Sequence, residues 1–216
     1  MLFVCTGNQC RSPMAEAMLR RAMADRGPVE VASAGTAGDG TPPPEHAVAV
    51  MAEVGLDIAG RPSRRLSAAD LADADLVIAM SRQHLVDVAT VHPPAWDQAF
   101  TFSDLLKRGT AAGGRVPGES LAQWARRMSA GRTRSSVLSA RSSGDVPDPM
   151  GGSVRDFEQT RDLLEEMVAQ LAPYLCPAPD GAQGGAGPAM VAEPARSGGA
   201  AEPPRSRSRW RRLLRP

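Results

Sequence analysis

The sequence predicts an α/β fold, a single doubly wound domain with a four-stranded parallel sheet and helices on both faces. Three observations carry this. Short apolar runs alternate with stretches of helical periodicity along about the first 175 residues, the order expected of βαβ units. The clearest of these runs are apolar throughout, as strands covered on both faces are. The turn after the first run lies beyond the carboxyl end of a strand, where such sheets bind ligands.

The elements follow in order. Leu2 to Val4 is short, apolar and partly β-branched, and reads as a buried strand. Ser12 and Pro13 mark a helix start, with Ser12 as N-cap and Pro13 at the first helical position. Met14, Ala17, Met18 and Ala22 continue that helix on one face. Val29 to Ala32 reads as the second strand. Ala47, Val50, Met51 and Val54 form a helical stripe closed by Gly55. Leu76 to Met80 is the third strand, a helix over Arg82–Val91 follows, and Ala99 to Phe102 is a weaker fourth strand. Ser153 with Asp156 has the spacing of a capping box, and Phe157, Leu164, Val168 and Leu171 carry a helix to Pro173.

The loop between the first strand and first helix reads Cys5-Thr6-Gly7-Asn8-Gln9-Cys10-Arg11-Ser12-Pro13. Unpaired N–H groups and the positive end of a helix dipole point into such a loop, which suits an anion. Gly7 permits a tight turn, and Asn8 tolerates the left-handed region. Arg11 offers a planar fork for two phosphate oxygens. Cys5 supplies a soft nucleophile. A free thiol, with a pKa of roughly 8.5, is mostly protonated at neutral pH, so the site has to favour the thiolate. The helix dipole, the loop N–H groups, Arg11 and a hydrogen bond from Ser12 all act in that direction. The plain alternative is an inert buried thiol and a surface arginine. The Gly-Asn, Ser-Pro and strand-to-helix context argues against it.

These residues resemble the low-molecular-weight protein tyrosine phosphatases. The matching run is Val4 to Glu16. Ser33-Ala34-Gly35-Thr36, Ala74 to Met80, and Asp148-Pro149-Met150-Gly151 match as well. The resemblance covers about residues 1–109 and 145–174. It implies a phosphatase domain over 1–175, with Cys5 as nucleophile, Arg11 as phosphate-binding arginine and Asp148 as general acid. Thr6, Gly7, Asn8, Gln9, Cys10 and Ser12 complete the substrate-binding loop. It also implies that Cys10 can pair reversibly with Cys5. A low-pKa thiolate is readily oxidised, so that chemistry is open to it, as is a simple packing role.

An acid is chemically required, because the leaving group departs as an anion unless it is protonated, and the same carboxylate can then activate water against a phosphocysteine. Two prolines and two glycines around Asp148 make its segment a defined loop, and Asp145 is the nearest competitor. No metal or other cofactor is called for. His46, His84 and His92 show no ligand spacing and read as surface or helix-end residues.

At 216 residues and net charge +1, the chain holds one domain plus extras. Three cysteines, two of them in one loop, are not a disulfide framework and fit a reducing cytoplasm, with Cys176 unpaired. No stretch reaches the length of a membrane span, and the N-terminus lacks a basic n-region, so neither an anchor nor a signal peptide is expected.

Two segments depart from the family pattern. About 110–144 is an insertion in which Leu121, Trp124, Ala125 and Met128 lie at helical spacing. Its plain reading is an amphipathic helix on the core. Its sharper reading is a lid, with Trp124 replacing the aromatic walls that the family carries and this chain lacks around Met150 and Gly38–Pro44. The tail over 176–216 is Pro/Gly/Arg-rich and expected to be disordered. Its arginines could touch nucleic acid or anionic membrane, although a solvated tail is the ordinary reading.

The partner expected is a phosphorylated protein. The loop and Asp-Pro-x-Gly-Gly-Ser resemble the protein arginine phosphatase branch, while the family at large implies phosphotyrosine. Gln9 matches neither the threonine of that branch nor the aliphatic residue of the tyrosine enzymes. Phosphotyrosine is favoured by a narrow margin. Arsenate reduction needs two further cysteines, and none occurs between Cys10 and Cys176. A non-catalytic phosphate-binding scaffold would be expected to lack Cys5, Arg11 or Asp148, and all three are present.

Overall fold

The structure, a computed structural model, describes residues 1–27, 29–133 and 144–176. The Arg-rich tail and the end of the insertion therefore lie outside the described residues.

Four strands, β1 (Leu2–Cys5), β2 (Ala32–Gly35), β3 (Val77–Ala79) and β4 (Ala99–Thr101), form one sheet in the order β2-β1-β3-β4. Every pairing is parallel. Among the described residues seven helices accompany them: α1 (Arg11–Met23), α2 (Glu45–Glu53), α3 (Ala68–Asp73), α4 (Arg82–Val91), α5 (Phe102–Ala112), α6 (Leu121–Ser129) and α7 (Val154–Leu175). A 3₁₀ segment over Pro93–Gln98 leads into β4.

Alternation along the strands creates two cores. Phe3, Ile78 and Phe100 face one side and pack with Met14, Met18, Met51, Trp124, Leu164 and Leu171 from α1, α2, α6 and α7. Leu2, Val4, Val77, Ala79 and Ala99 face the other side and pack with Leu71, Leu85, Val88 and Trp96. Both faces are thus covered, as expected of a parallel sheet. The chain leaves β1 for β2 on one side and returns to β3 on the other, so the loops part at the carboxyl end of β1.

Several boundaries differ from the sequence expectations, beginning with β1, which extends one residue past Val4 to Cys5. The second strand is Ala32–Gly35, not Val29–Ala32. Pairing Leu2 with Ala32 through Cys5 with Gly35 sets that register. Gly35 is required there, because a Cβ would stand 2.8 Å from the Asn8 nitrogen. The third strand loses Leu76 and Met80, although Leu2 N still donates to Leu76 O and Met80 N to Val4 O, each at 2.9 Å. The fourth ends at Thr101, whose hydroxyl accepts from Asp104 N at 3.3 Å and starts α5 at Phe102. Helix α7 runs past Pro173 to Leu175.

Helix α1 begins at Arg11 with Cys10 at the N-cap position, so Ser12 is not the cap. Its hydroxyl is engaged with the Cys5 thiol and the Asn8 amide instead. Pro13 still falls in the first turn, where an N–H has no intrahelical partner. Of the expected capping box the reciprocal half forms, with Ser153 N donating to Asp156 Oδ2 at 2.7 Å.

The inserted segment forms α6, and it lies on the core. Trp124 is fully buried and donates from Nε1 to Gly113 O at 3.1 Å. The plain reading of the insertion holds, and Trp124 walls no substrate slot. No helix among the described residues is long and apolar enough to cross a membrane.

Candidate active site

Strand β1 ends on Cys5, and α1 opens on Arg11; the loop between them fits in the gap left by the diverging connections. Asn8 sits in the left-handed region at φ 54°, the one non-glycine residue to do so among the described residues. That turn aims Asn8 N at the Cys5 sulfur, 3.2 Å away. Ser12 Oγ lies 3.0 Å from the same sulfur. Both groups can donate to a thiolate, and the thiol is buried.

The strained residue is held from three sides. Asn8 Nδ2 donates to Ser12 Oγ at 3.0 Å and to Ser33 Oγ at 2.8 Å, and Oδ1 accepts from Arg64 N at 3.0 Å. Ser33 Oγ donates in turn to Glu16 Oε2 at 2.6 Å. Glu16 is buried and pairs with Arg20 at 2.7 Å and with Arg61. The loop conformation is therefore anchored to α1, β2 and the segment before α3.

Arg11 is buried, and its Nη2 donates to Asp148 Oδ2 at 2.5 Å, while Nη1 donates to Val146 O at 3.4 Å. Asp148 is half exposed and sits in a loop tied down by Val146 N, which donates to Met80 O at 2.8 Å. Asp145, the competing carboxylate, accepts from Arg82 N at 3.0 Å and so caps the start of α4. The structure thus joins Cys5, Arg11 and Asp148 in one site and leaves Asp145 in a structural role.

Gly7 and Gln9 line the loop, with Gln9 folded so that its Oε1 would lie 3.2 Å from a Cβ at Gly7. Cys10 is buried, and its Sγ donates to Met150 Sδ at 3.1 Å. Burial, reinforced by the nearby Cys5 and Asp148, pushes the Cys10 thiol up to about 12, so it stays protonated at neutral pH.

Sequence reasoning placed His84 at a helix end but took it for an ordinary residue there. It is buried, with Nε2 2.8 Å from Thr6 Oγ1 and Nδ1 2.9 Å from Ser81 Oγ. Burial, with the Arg11 charge adding to it, pushes its pKa down to about 4, while Asp87 and Asp148 pull the other way. Glu16, Ser33 and Arg61 were also missed as supports of the loop. The buried position of Glu16 between Ala15 and Met18 on the apolar side of α1 was the available signal. Among the described residues no group of three or more His, Cys, Asp or Glu converges as a metal site.

With this arrangement, the loop can cradle a phosphoryl group, the buried thiolate can attack it, and an exposed carboxyl stands by the arginine to serve the leaving atom. The profile of one protein family, low molecular weight phosphotyrosine protein phosphatase, matches residues 1–117. The chain is 34% identical over 180 residues to a protein-arginine-phosphatase of Bacillus subtilis (strain 168), covering 81% of this chain and 95% of that one. It is also 34% identical over 109 residues to the low molecular weight protein-tyrosine-phosphatase Etp of Escherichia coli (strain K12), covering 50% of this chain and 72% of Etp. Among solved structures, a low molecular weight protein tyrosine phosphatase from Bacillus subtilis superposes with a TM-score of 0.59 at 33% identity, over 79% of this chain and 93% of its own.

Proposed function

Because this chain belongs to the low molecular weight phosphotyrosine protein phosphatase family, whose members are cysteine-dependent hydrolases, we propose that it hydrolyses phosphotyrosine in proteins through a phosphocysteine intermediate formed on Cys5. The observation that carries this reading is the Arg11–Asp148 pair beside a buried Cys5 sulfur that accepts from Asn8 N.

The Cys5 thiolate attacks phosphorus, and the bond from phosphorus to the tyrosine oxygen breaks. Arg11 and the N–H groups of the loop hold the equatorial oxygens as charge builds on them. When a phosphoryl group engages the Arg11 guanidinium, the Asp148 carboxylate is released from its ion pair, takes up a proton from solvent and can carry it to the leaving oxygen. In the second step Asp148, now a carboxylate, takes a proton from water as that water attacks the phosphocysteine. The P–S bond breaks, and the Cys5 thiolate and inorganic phosphate are regenerated. Thr6, Gly7, Asn8, Gln9, Cys10 and Ser12 shape the cradle. Three free thiols suit a reducing compartment, the cytoplasm, as the place of action.

Phosphoarginine is the second reading. It is favoured by the extent of the likeness to the Bacillus subtilis protein-arginine-phosphatase, 81% of this chain against 50% for Etp. The same chemistry applies, with a guanidinium nitrogen as the leaving atom.

Hydrolysis of p-nitrophenyl phosphate by wild type and Cys5→Ser tests the enzyme reading, and absence of wild-type turnover would overturn it. Comparing kcat/KM on a phosphotyrosine and a phosphoarginine peptide of the same sequence decides between the substrates.

A further inference from the structure

His84 is the one buried histidine among the described residues, and it bridges two loops of the site. It stands at the third position of α4, one turn in from the Ser81 cap, and its ring reaches the first loop residue after the nucleophile. Its two nitrogens have fixed partners, so the position of its proton can be worked out.

Ser81 Oγ accepts from His84 N at 3.3 Å and lies 2.9 Å from Nδ1. Among the described residues it has no acceptor for its own proton except Nδ1. With the Ser81 hydroxyl assigned as donor to Nδ1, the proton of the neutral ring is on Nε2. Nε2 then donates to Thr6 Oγ1 at 2.8 Å. Thr6 is exposed, and among the described residues its hydroxyl has no other partner. Held as an acceptor on one side, the Thr6 hydroxyl retains its proton for a group arriving from solvent at the rim of the loop.

We propose that His84 is a positioning residue for the reaction: by donating to Thr6 Oγ1 it directs the Thr6 proton to the phosphoryl group bound against Cys5. The inference rests on the phosphatase reading above. The neutral state of His84 at working pH supports it, because a charged ring would repel Arg11 across the loop. The role divides in two. Ser81 sets the tautomer, and the tautomer sets the direction of the Thr6 hydroxyl.

A double-mutant cycle on the full chain tests this. Asn in place of His84 keeps a group near Ser81 but stops short of Thr6, whereas Gln reaches Thr6 with an amide donor. The readouts are the Kd of inorganic phosphate by calorimetry, kcat and KM on p-nitrophenyl phosphate, and the thermal midpoint. A hydrogen bond to a charged group is worth about tenfold or more. Thr6→Val and His84→Asn are therefore each expected to weaken phosphate binding and lower kcat/KM by about tenfold. His84→Asn in the Thr6→Val background should cost less than about twofold further, and His84→Gln should recover most of the loss.

A loss from His84→Asn that is equally large in both backgrounds, or absence of rescue by Gln, would mean a packing role and overturn the proposal. So would Thr6→Val acting within twofold of wild type, a result that does not depend on any His84 variant folding. If the wild type turns over no ester, the phosphatase reading fails, while the phosphate-affinity cycle still decides the role of His84.

Discussion

Asp148 meets two demands that its surroundings separate. One carboxylate oxygen holds the Arg11 guanidinium at 2.5 Å, and the other accepts from Met150 N at 3.3 Å. A general acid is needed most when the leaving group is a poor one. Asp148→Asn is expected to lower kcat on a phosphotyrosine peptide by about 10²-fold or more and to cost less on p-nitrophenyl phosphate, whose phenolate leaves more readily. Equal losses on both substrates would remove Asp148 from the acid role. His84 yields a second residue-scale expectation. Its folded pKa of about 4 lies below the usual 6.5, so between these values the unfolded chain binds more protons than the native one. Stability is then lost as pH falls from about 6.5 to about 4 and not further below, up to about 3 kcal/mol from this group. Urea titrations of wild type and His84→Gln at matched pH values should show a shallower pH slope in the variant. The nearness of Cys5 and Arg11 was legible in the sequence because the strand-loop-helix pattern permits few other readings, whereas Asp148 stood out from Asp145 only through the family resemblance. His84 was not, because what buries it is a loop 78 residues away.

Among the elements, α6 shows how a helical stripe reads correctly while its purpose does not. The spacing of Leu121, Trp124, Ala125 and Met128 identified a buried face, and all four are buried. Whether that face meets the core or a substrate depends on the path of the chain between α5 and α7, which periodicity does not contain. Trp124→Ala should destabilise the protein by about 3–5 kcal/mol in urea unfolding while leaving kcat/KM of the folded enzyme unchanged. A lid role would reverse that pattern. Strand β2 failed as a sequence reading for a different reason. Its residues, Ala32 to Gly35, are small and partly polar, and the apolar Val29 and Val31 precede it. What selects the register is the pairing with β1 and the close approach of the loop after Cys5 at Gly35, contacts between segments about 30 residues apart in the chain.

At the scale of the molecule, the site depends on where the sheet changes winding direction. The connections from β1 and β3 part there, and the phosphate loop fits in the opening with its helix pointing inward. Glu16 ties this region together, since one buried carboxylate serves Ser33 of β2, Arg20 of α1 and Arg61 ahead of α3. Glu16→Ala leaves the buried Ser33 hydroxyl without its acceptor and is expected to cost about 1–3 kcal/mol of stability. It should also lower kcat/KM on p-nitrophenyl phosphate, because Ser33 would no longer fix Asn8. An activity loss with no stability loss, or the reverse, would separate Glu16 from one of the two roles. The sequence by itself determined the parallel α/β class and the strand-loop-helix order that brings Cys5 and Arg11 to the two ends of one loop, since both are written in short-range spacing and turn chemistry. Only the tertiary structure decided which of Asp145 and Asp148 faces Arg11, that α6 belongs to the core, and that His84 and Glu16 brace the loop. Those outcomes depend on distances between residues far apart in the chain, and packing sets those distances.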